Sequence, residues 1–354
     1  MDIIITGGGG FVGYNLAVFL KKAIPNARIT CLDNLKRRGS ELNLPVLKQL
    51  DIDFVHGDIR NPEDLYVIKE ADFIIDASAE PSVLAGITSP AYPVINTNLN
   101  GTIHLLELTR KLKSKFIFLS TSRVYPIKAL NAIAWHEDET RFSLSREQTM
   151  EGVTEKGINE NFSLKGSRSF YGATKLASEL FIEEYQPYGG VEAVVNRCGV
   201  ISGPGQMGKV DQGVMTLWVA RHYWKRELSY LGFEGSGKQV RDILHIDDLC
   251  QLILFQIQNF EHVSGHLFNV GGGKEHSISL LELTNICELV TGNRIHFKKV
   301  KANREADIRT YITDNTMVNS VTGWMPKRSV DSNVADIFQW ILSNEANLKA
   351  VLDQ

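Results

Sequence analysis

Cysteine is scarce: Cys31, Cys198, Cys250 and Cys287 are the only four in 354 residues. No two of them stand at CxxC spacing. That argues against a zinc site or a disulfide framework, and reduced thiols with no bound metal are expected. An excess of either charge is missing too, with 38 basic against 41 acidic residues and a formal net charge of −3. Nothing in this balance favours nucleic acid or anionic lipid, so an anionic ligand would need basic residues placed locally. Long apolar runs are absent, and nothing approaches the roughly 18 residues of a membrane span. The first residues, Met1-Asp2-Ile3-Ile4-Ile5-Thr6-Gly7, lack the basic region of a signal peptide. The expectation is a soluble cytoplasmic protein with no membrane or nucleic-acid partner.

What is present is alternation. Short apolar runs at residues 3–5, 28–32, 53–56, 72–76 and 115–120 read as strands. Helical patterns lie at 11–22, 62–69 and 94–113. Strands that are apolar throughout, separated by helices, predict a doubly wound parallel α/β sheet of Rossmann type, covered on both faces. Residues 129–169 are polar and weakly periodic, and read as a long surface excursion. A strongly periodic helix follows at 169–185 and a strand at 191–197. After about residue 203 the alternation loosens, with helices at 214–225 and 249–258. Ser279 and Glu282 stand as a capping box ahead of 280–290. The expected division is a dinucleotide-binding domain over 1–200 with a smaller mixed α/β lobe over 201–354, some segments of which return to the first domain.

Thr6-Gly7-Gly8-Gly9-Gly10-Phe11-Val12-Gly13 joins the first strand to the first helix. Gly7, Gly10 and Gly13 have the spacing that a dinucleotide needs: a tight turn, close backbone approach to the pyrophosphate, and a helix seated on the sheet. The amides of Phe11, Val12 and Gly13 then face the phosphates. A glycine triplet alone is also a common turn. Its weight rises because Asp33 ends the second strand 20 residues beyond Gly13, where an acid bonds the ribose hydroxyls of NAD and repels the extra phosphate of NADP. Asn34 beside it and Ala77 after the fourth strand complete the candidate cofactor wall. Asp58, followed by Ile59, is either an acceptor for the adenine amine or a turn and helix-capping residue.

Tyr171 and Lys175 form a YxxxK pair, sharing one face of the predicted helix. A lysine ammonium favours phenolate, and the tyrosine can then take a hydroxyl proton while hydride leaves the same carbon. Such pairs are frequent by chance. This one gains weight from Ser120-Thr121-Ser122-Arg123-Val124-Tyr125 at the carboxyl end of an apolar strand, where open parallel sheets bind ligands.

With these motifs together, the chain resembles an extended short-chain dehydrogenase/reductase of the sugar-nucleotide epimerase and dehydratase group, over nearly its whole length. The resemblance implies Thr121 as the catalytic hydroxyl, Tyr171 as base and Lys175 as its lysine, with NAD as cofactor and a nucleotide-diphosphate sugar as substrate. It also implies a homodimer or homotetramer, and a place in polysaccharide biosynthesis. Gly235-Ser236-Gly237-Lys238-Gln239-Val240-Arg241-Asp242-Ile243-Leu244-His245 resembles the family's substrate motif, so Arg241 is expected on the diphosphate, and Arg304 with it. Either arginine is otherwise a surface ion pair. His245 reads as structural, and Phe268-Asn269-Val270-Gly271-Gly272-Gly273 as packing.

Dehydratases of this group carry an acid just after the catalytic threonine, where this chain has Ser122 and Arg123. Eliminating water needs a group that protonates the leaving hydroxyl, so epimerisation is favoured. Gln206 and Asp211-Gln212-Gly213, with the Arg241 motif, resemble the CDP-tyvelose (CDP-paratose) 2-epimerase family, adding Ser122, Arg123, Gln206 and Gln212 to the substrate-contacting candidates. A UDP-hexose 4-epimerase stays open, as does a catalytically inactive NAD-sensing binding protein.

Overall fold

A computed structural model describes residues 1–208 and 212–353. Strands β1 (Asp2–Thr6), β2 (Arg28–Asp33), β3 (Asp53–His56), β4 (Phe73–Asp76) and β5 (Lys115–Thr121) pair in parallel. With Glu192–Cys198 and Leu267–Val270 they form a seven-stranded sheet, in the order Leu267–Val270, Glu192–Cys198, β5, β4, β1, β2, β3. This is the expected Rossmann-type architecture. The strand order reverses between β1 and β4, which opens a crevice beyond their carboxyl ends.

The strands are where they are because they bury side chains on both faces. Ile3, Ile4 and Ile5 are all buried, as are Phe116, Ile117 and Phe118. Ile4, Leu32, Ile74, Phe116 and Phe118 pack with Leu105, Leu106 and Ile182 in one core cluster. Each such side chain contributes about 1.5–3 kcal/mol when fully removed from water.

Helix α1 (Phe11–Ala23) and the helix Phe170–Gly189 fall where the periodicity places them. Two helical expectations change. The one at 62–69 shrinks to a single turn, Pro62–Leu65. The one at 94–113 is interrupted: Tyr92–Ile95 leads into a π turn, Asn96–Asn100, before Gly101–Leu112. The widened turn buries a polar side chain. Asn98 is buried within it, accepts from the Glu80 amide at 2.7 Å and donates to Thr174 Oγ1 at 3.3 Å.

The chain divides into two compact units. One contains residues 1–124, 169–197 and 250–268; the other contains 125–168, 198–249 and 269 onward. The second unit holds a small sheet in which Val240–His245 pairs with Val200–Ser202, Ser277–Ser279 and Thr310–Tyr311. It also contains residues 129–168, all but the last residue of the expected 129–169 excursion, which is not a bare surface excursion. That stretch folds into hairpins Trp135–Glu137/Phe142–Leu144 and Val153–Thr154/Gly157–Ile158. Ile158 and Phe162 are fully buried, and Phe162 meets Tyr125 edge-on at 5.5 Å. Beyond Trp135 its apolar residues stand singly among polar ones, so no period betrays them. The capping box has both halves: Glu282 N to Ser279 Oγ at 3.1 Å and Ser279 N to Glu282 Oε2 at 3.0 Å. Among the described residues no helix is long and apolar enough to cross a membrane.

Candidate active site

The glycine loop is built as the spacing requires. Gly7 has φ +67°, and a Cβ on it would lie 2.8 Å from the Ala77 carbonyl oxygen. A Cβ on Gly13 would lie 2.3 Å from the Gly7 oxygen, so no side chain fits where α1 crosses the loop. A Cβ on Gly10 would meet only that same oxygen, at 3.3 Å, and its outer side is open. Helix α1 starts at Phe11 with no side-chain cap and no acid in its first turn. The helix start around Phe11, Val12 and Gly13 therefore suits a pyrophosphate, and the cradle fits NAD.

Asp33 ties this loop to the end of β2. Its Oδ2 accepts from the Gly9 amide at 3.0 Å and its Oδ1 from the Leu35 amide at 2.7 Å. Asn34 Nδ2 donates to Asp58 Oδ2 at 2.8 Å, and Arg60 Nη2 reaches the same oxygen at 2.5 Å. Hydrogen bonds from the Arg60 guanidinium, more than any other cause, hold the Asp58 carboxyl well below the usual carboxylate range. Asp58 is not the helix cap; Asn61 is, accepting from the Glu63 amide at 3.3 Å. Ile59 is buried and its carbonyl pairs with His104 Nδ1 at 2.8 Å.

Sequence reading missed Asp76, immediately before Ala77. It is fully buried and accepts from Thr6 Oγ1 at 2.9 Å, Thr102 Oγ1 at 3.0 Å, Ser78 N at 3.1 Å and Ser78 Oγ at 2.5 Å. It fixes the ends of β1 and β4 on either side of the crevice. A lone acid ending an apolar strand was the only signal.

Thr121 closes β5 and is buried, its Oγ1 accepting from the Arg123 amide at 3.1 Å. Ser122 begins a buried 3₁₀ turn, Ser122–Val124. The helix Phe170–Gly189 packs on both β5 and this turn, which brings the Thr121 motif and the Tyr171–Lys175 pair together. Ser169 caps that helix, accepting from the Gly172 amide at 3.2 Å. Tyr171 is half-buried in the first turn. Lys175 is 2% exposed, its Nζ 4.3 Å from the centre of the Phe118 ring.

One turn further along lies a second missed residue, Glu179. It accepts from Ser120 Oγ and from Arg197, Nη2 to Oε2 at 2.7 Å and Nε to both oxygens at 3.1 Å. Tyr171, Lys175 and Glu179 thus follow at four-residue spacing on one face. The carboxylate joins the helix to β5, one residue before Thr121.

Thr121, Ser122 and Arg123 lie in the first unit, and the other unit holds the remaining expected substrate residues. Arg241 donates from Nη1 to the Val240 carbonyl at 2.6 Å and from Nη2 to the Ile308 carbonyl at 2.7 Å. Arg304 is exposed and pairs with Asp307 at 3.2 Å. Gln206 donates to the Ile201 carbonyl at 3.0 Å. Gln212 is half-buried, while Asp211 lies outside the described residues. His245 Nδ1 accepts from the Asp247 amide at 3.0 Å and caps the start of Ile246–Gln258, and burial lowers its pKa. Asn269 bridges Tyr125, whose hydroxyl donates to it at 2.8 Å, and the Ile158 carbonyl at 3.1 Å.

The model of the NAD dependent epimerase/dehydratase family matches residues 3–271. The chain belongs to that family. CDP-paratose 2-epimerase of Salmonella typhi is 32% identical over 356 residues, 97% of this chain and 100% of that protein. A probable dTDP-glucose 4,6-dehydratase of Sinorhizobium fredii is 27% identical, over 97% and 93% of the two chains. Among solved structures, dTDP-glucose 4,6-dehydratase of Bacillus anthracis in complex with NAD has a TM-score of 0.76 at 25% identity, covering 98% of each chain. UDP-glucuronic acid 4-epimerase of Bacillus cereus, with UDP-glucuronic acid and NAD, has a TM-score of 0.79 at 21% identity, covering 97% of this chain and 99% of the other. The fold, NAD as cofactor and an NAD-dependent enzyme of the epimerase kind, an isomerase, stand with this membership.

Proposed function

We propose that this enzyme inverts C2 of a CDP-linked dideoxyhexose, the interconversion of CDP-paratose and CDP-tyvelose. The observation that carries it lies at the end of β5. Thr121 is followed by Ser122 and Arg123, with no acid to protonate a leaving hydroxyl. That disfavours dehydration and leaves oxidation followed by return of hydride. The full-length likeness to CDP-paratose 2-epimerase supports the choice of sugar.

The glycine loop and Asp33 would hold NAD, which would supply a reversible hydride acceptor. The chain's own residues handle the proton and the position of the sugar. The Tyr171 phenolate takes the hydroxyl proton and returns it once the carbonyl is reduced. The Lys175 ammonium favours the phenolate. The Thr121 hydroxyl hydrogen-bonds the reacting oxygen, with Ser122 and Arg123 beside it. Gly7, Gly10, Asp33, Asn34, Asp58, Ile59 and Ala77 line the cofactor. Gln206 and Gln212 contact the sugar nucleotide, while Arg241 and Arg304 hold its diphosphate, each able to bind bidentately. A cytoplasmic homodimer or homotetramer in polysaccharide biosynthesis completes the reading, on family resemblance.

The test is a proton NMR time course of the purified protein with CDP-tyvelose and no added NAD. Appearance of CDP-paratose is the expected result. An unchanged spectrum, with turnover of UDP-glucose or UDP-glucuronate in parallel samples, would replace the reading with a UDP-hexose 4-epimerase. No turnover of any of them, with NAD bound, would favour a binding protein.

A further inference from the structure

Arg309 is a cation with no counter-charge among the described residues. Its guanidinium carbon lies 4.0 Å from the centre of the Trp135 ring, 5.3 Å from Phe233 and 5.7 Å from Phe142. The rings also brace one another edge to face, Trp135 to Phe142 at 5.1 Å and Phe142 to Phe233 at 5.9 Å. Burial lowers the Arg309 pKa. No carboxylate of a described residue stands within ion-pair distance of it. Arg304, Arg141 and Arg226 in the same unit all have one: Asp307, Glu282 and Asp353.

The hydrogen-bonding ledger of the guanidinium is equally lopsided. Nη1 donates to the Asn131 carbonyl at 3.3 Å. Nε is buried with no acceptor. Among the described residues Nη2 has none either. Nε and Nη2 together form the side-on edge that binds a carboxylate or phosphate with two parallel bonds. Arg226 uses that same edge on Asp353, at 2.7 and 2.9 Å. In Arg309 the backbone is fixed, and among the described residues nothing pairs with that edge. The Arg309 amide donates to Asn131 Oδ1 at 2.9 Å and its carbonyl accepts from the Val240 amide at 2.9 Å. The preceding carbonyl, of Ile308, is the one that holds Arg241.

A half-buried cation with an orphaned buried donor is costly unless something anionic completes it. We propose that Arg309 is a further diphosphate-binding residue of this enzyme, its Nε/Nη2 edge taking phosphate oxygens while the cage of Trp135, Phe142 and Phe233 holds the guanidinium plane. This rests on the nucleotide-sugar reading above. It assigns a substrate role to the hairpin Trp135–Glu137/Phe142–Leu144, which supplies two of the three walls. Trp135 is the exposed wall, at 38%.

Calorimetric titration of the full chain, NAD bound, tests it with CMP, CDP, UDP and inorganic pyrophosphate against wild type, Arg309→Gln and Arg309→Lys. Arg309→Gln should weaken CDP or UDP, and pyrophosphate, by about tenfold or more, while CMP changes much less, so the preference for diphosphate over monophosphate collapses. Arg309→Lys, which keeps the charge but loses the fork, should fall between, and it carries the test if the glutamine variant folds poorly. Unchanged diphosphate affinity in both variants would overturn the proposal. So would an equal loss for CMP and CDP, which would make the cage a reader of the nucleoside. Pyrophosphate binding that depends on Arg309, with no binding of CDP or UDP by wild type, would uphold the anion site and remove the nucleotide-sugar reading. Wild type binding none of the four would overturn both.

Discussion

Glu179 and Arg197 form a buried ion pair, 2.7 Å from Arg197 Nη2 to Glu179 Oε2, one helical turn beyond Lys175. The side chains are 4% and 5% exposed. Removing one partner of such a pair leaves the other charge buried alone, at a cost of about 3–5 kcal/mol. Glu179→Ala should therefore lower the unfolding free energy by about that amount in urea titrations. A loss under about 1 kcal/mol would show that the charge escapes to water.

Tyr171→Phe removes the one phenol on the helix face shared with Lys175. The variant should fold and retain NAD after purification, while turnover falls by at least about a hundredfold, the lower range of a general acid–base contribution. A wild-type rate in single-turnover assays would end the assignment of Tyr171 as base.

Asp33 serves two amides, Gly9 and Leu35, besides its expected part in holding the ribose. Asp33→Ala should release NAD during purification, read as a lost 260 nm contribution. Asp33→Asn retains one acceptor oxygen and should keep more of the cofactor. Full NAD occupancy in the alanine variant would take Asp33 out of the cofactor site.

Arg304 already has a partner in Asp307. If it turns to the diphosphate, Arg304→Ala raises KM for the sugar nucleotide while kcat changes little. An unchanged KM would leave Arg304 a surface ion pair.

The depressed pKa of Asp58 makes a prediction of opposite sign to a buried neutral acid. Its folded-state pKa lies below the unfolded value of about 3.9. The unfolded chain therefore binds the proton first as pH falls. The stabilisation is fully present above about pH 5 and disappears as the pH drops through the folded-state pKa. Asp58→Asn should flatten this acid limb in denaturation curves taken between pH 3 and 7, within a discount for the group's partial exposure. Parallel limbs for the two proteins would sink the claim.

Features read from local pattern were legible in the sequence. Gly7, Gly10 and Gly13 are diagnostic because steric need and spacing coincide within one turn, and Ser279 with Glu282 because a cap is a four-residue device. Asp76, Glu179 and Arg309 were not, since their partners come from distant stretches: Thr102 for Asp76, Arg197 for Glu179, Trp135 and Phe233 for Arg309. Glu179 did leave a trace, standing four residues after Lys175 as Lys175 stands four after Tyr171. The hairpins within 129–169 left none, because strands of two or three residues are too short to show a period.

The route of the chain has a consequence for how such an enzyme diversifies. Residues 250–268 complete the first unit, and among them Phe260 meets Phe73 edge-on at 5.5 Å. Residues 125–168 belong to the second, although they precede the tyrosine helix. No single cut yields either unit whole. Exchanging either unit whole would therefore take three separate segments at once, such as residues 1–124, 169–197 and 250–268 for the first.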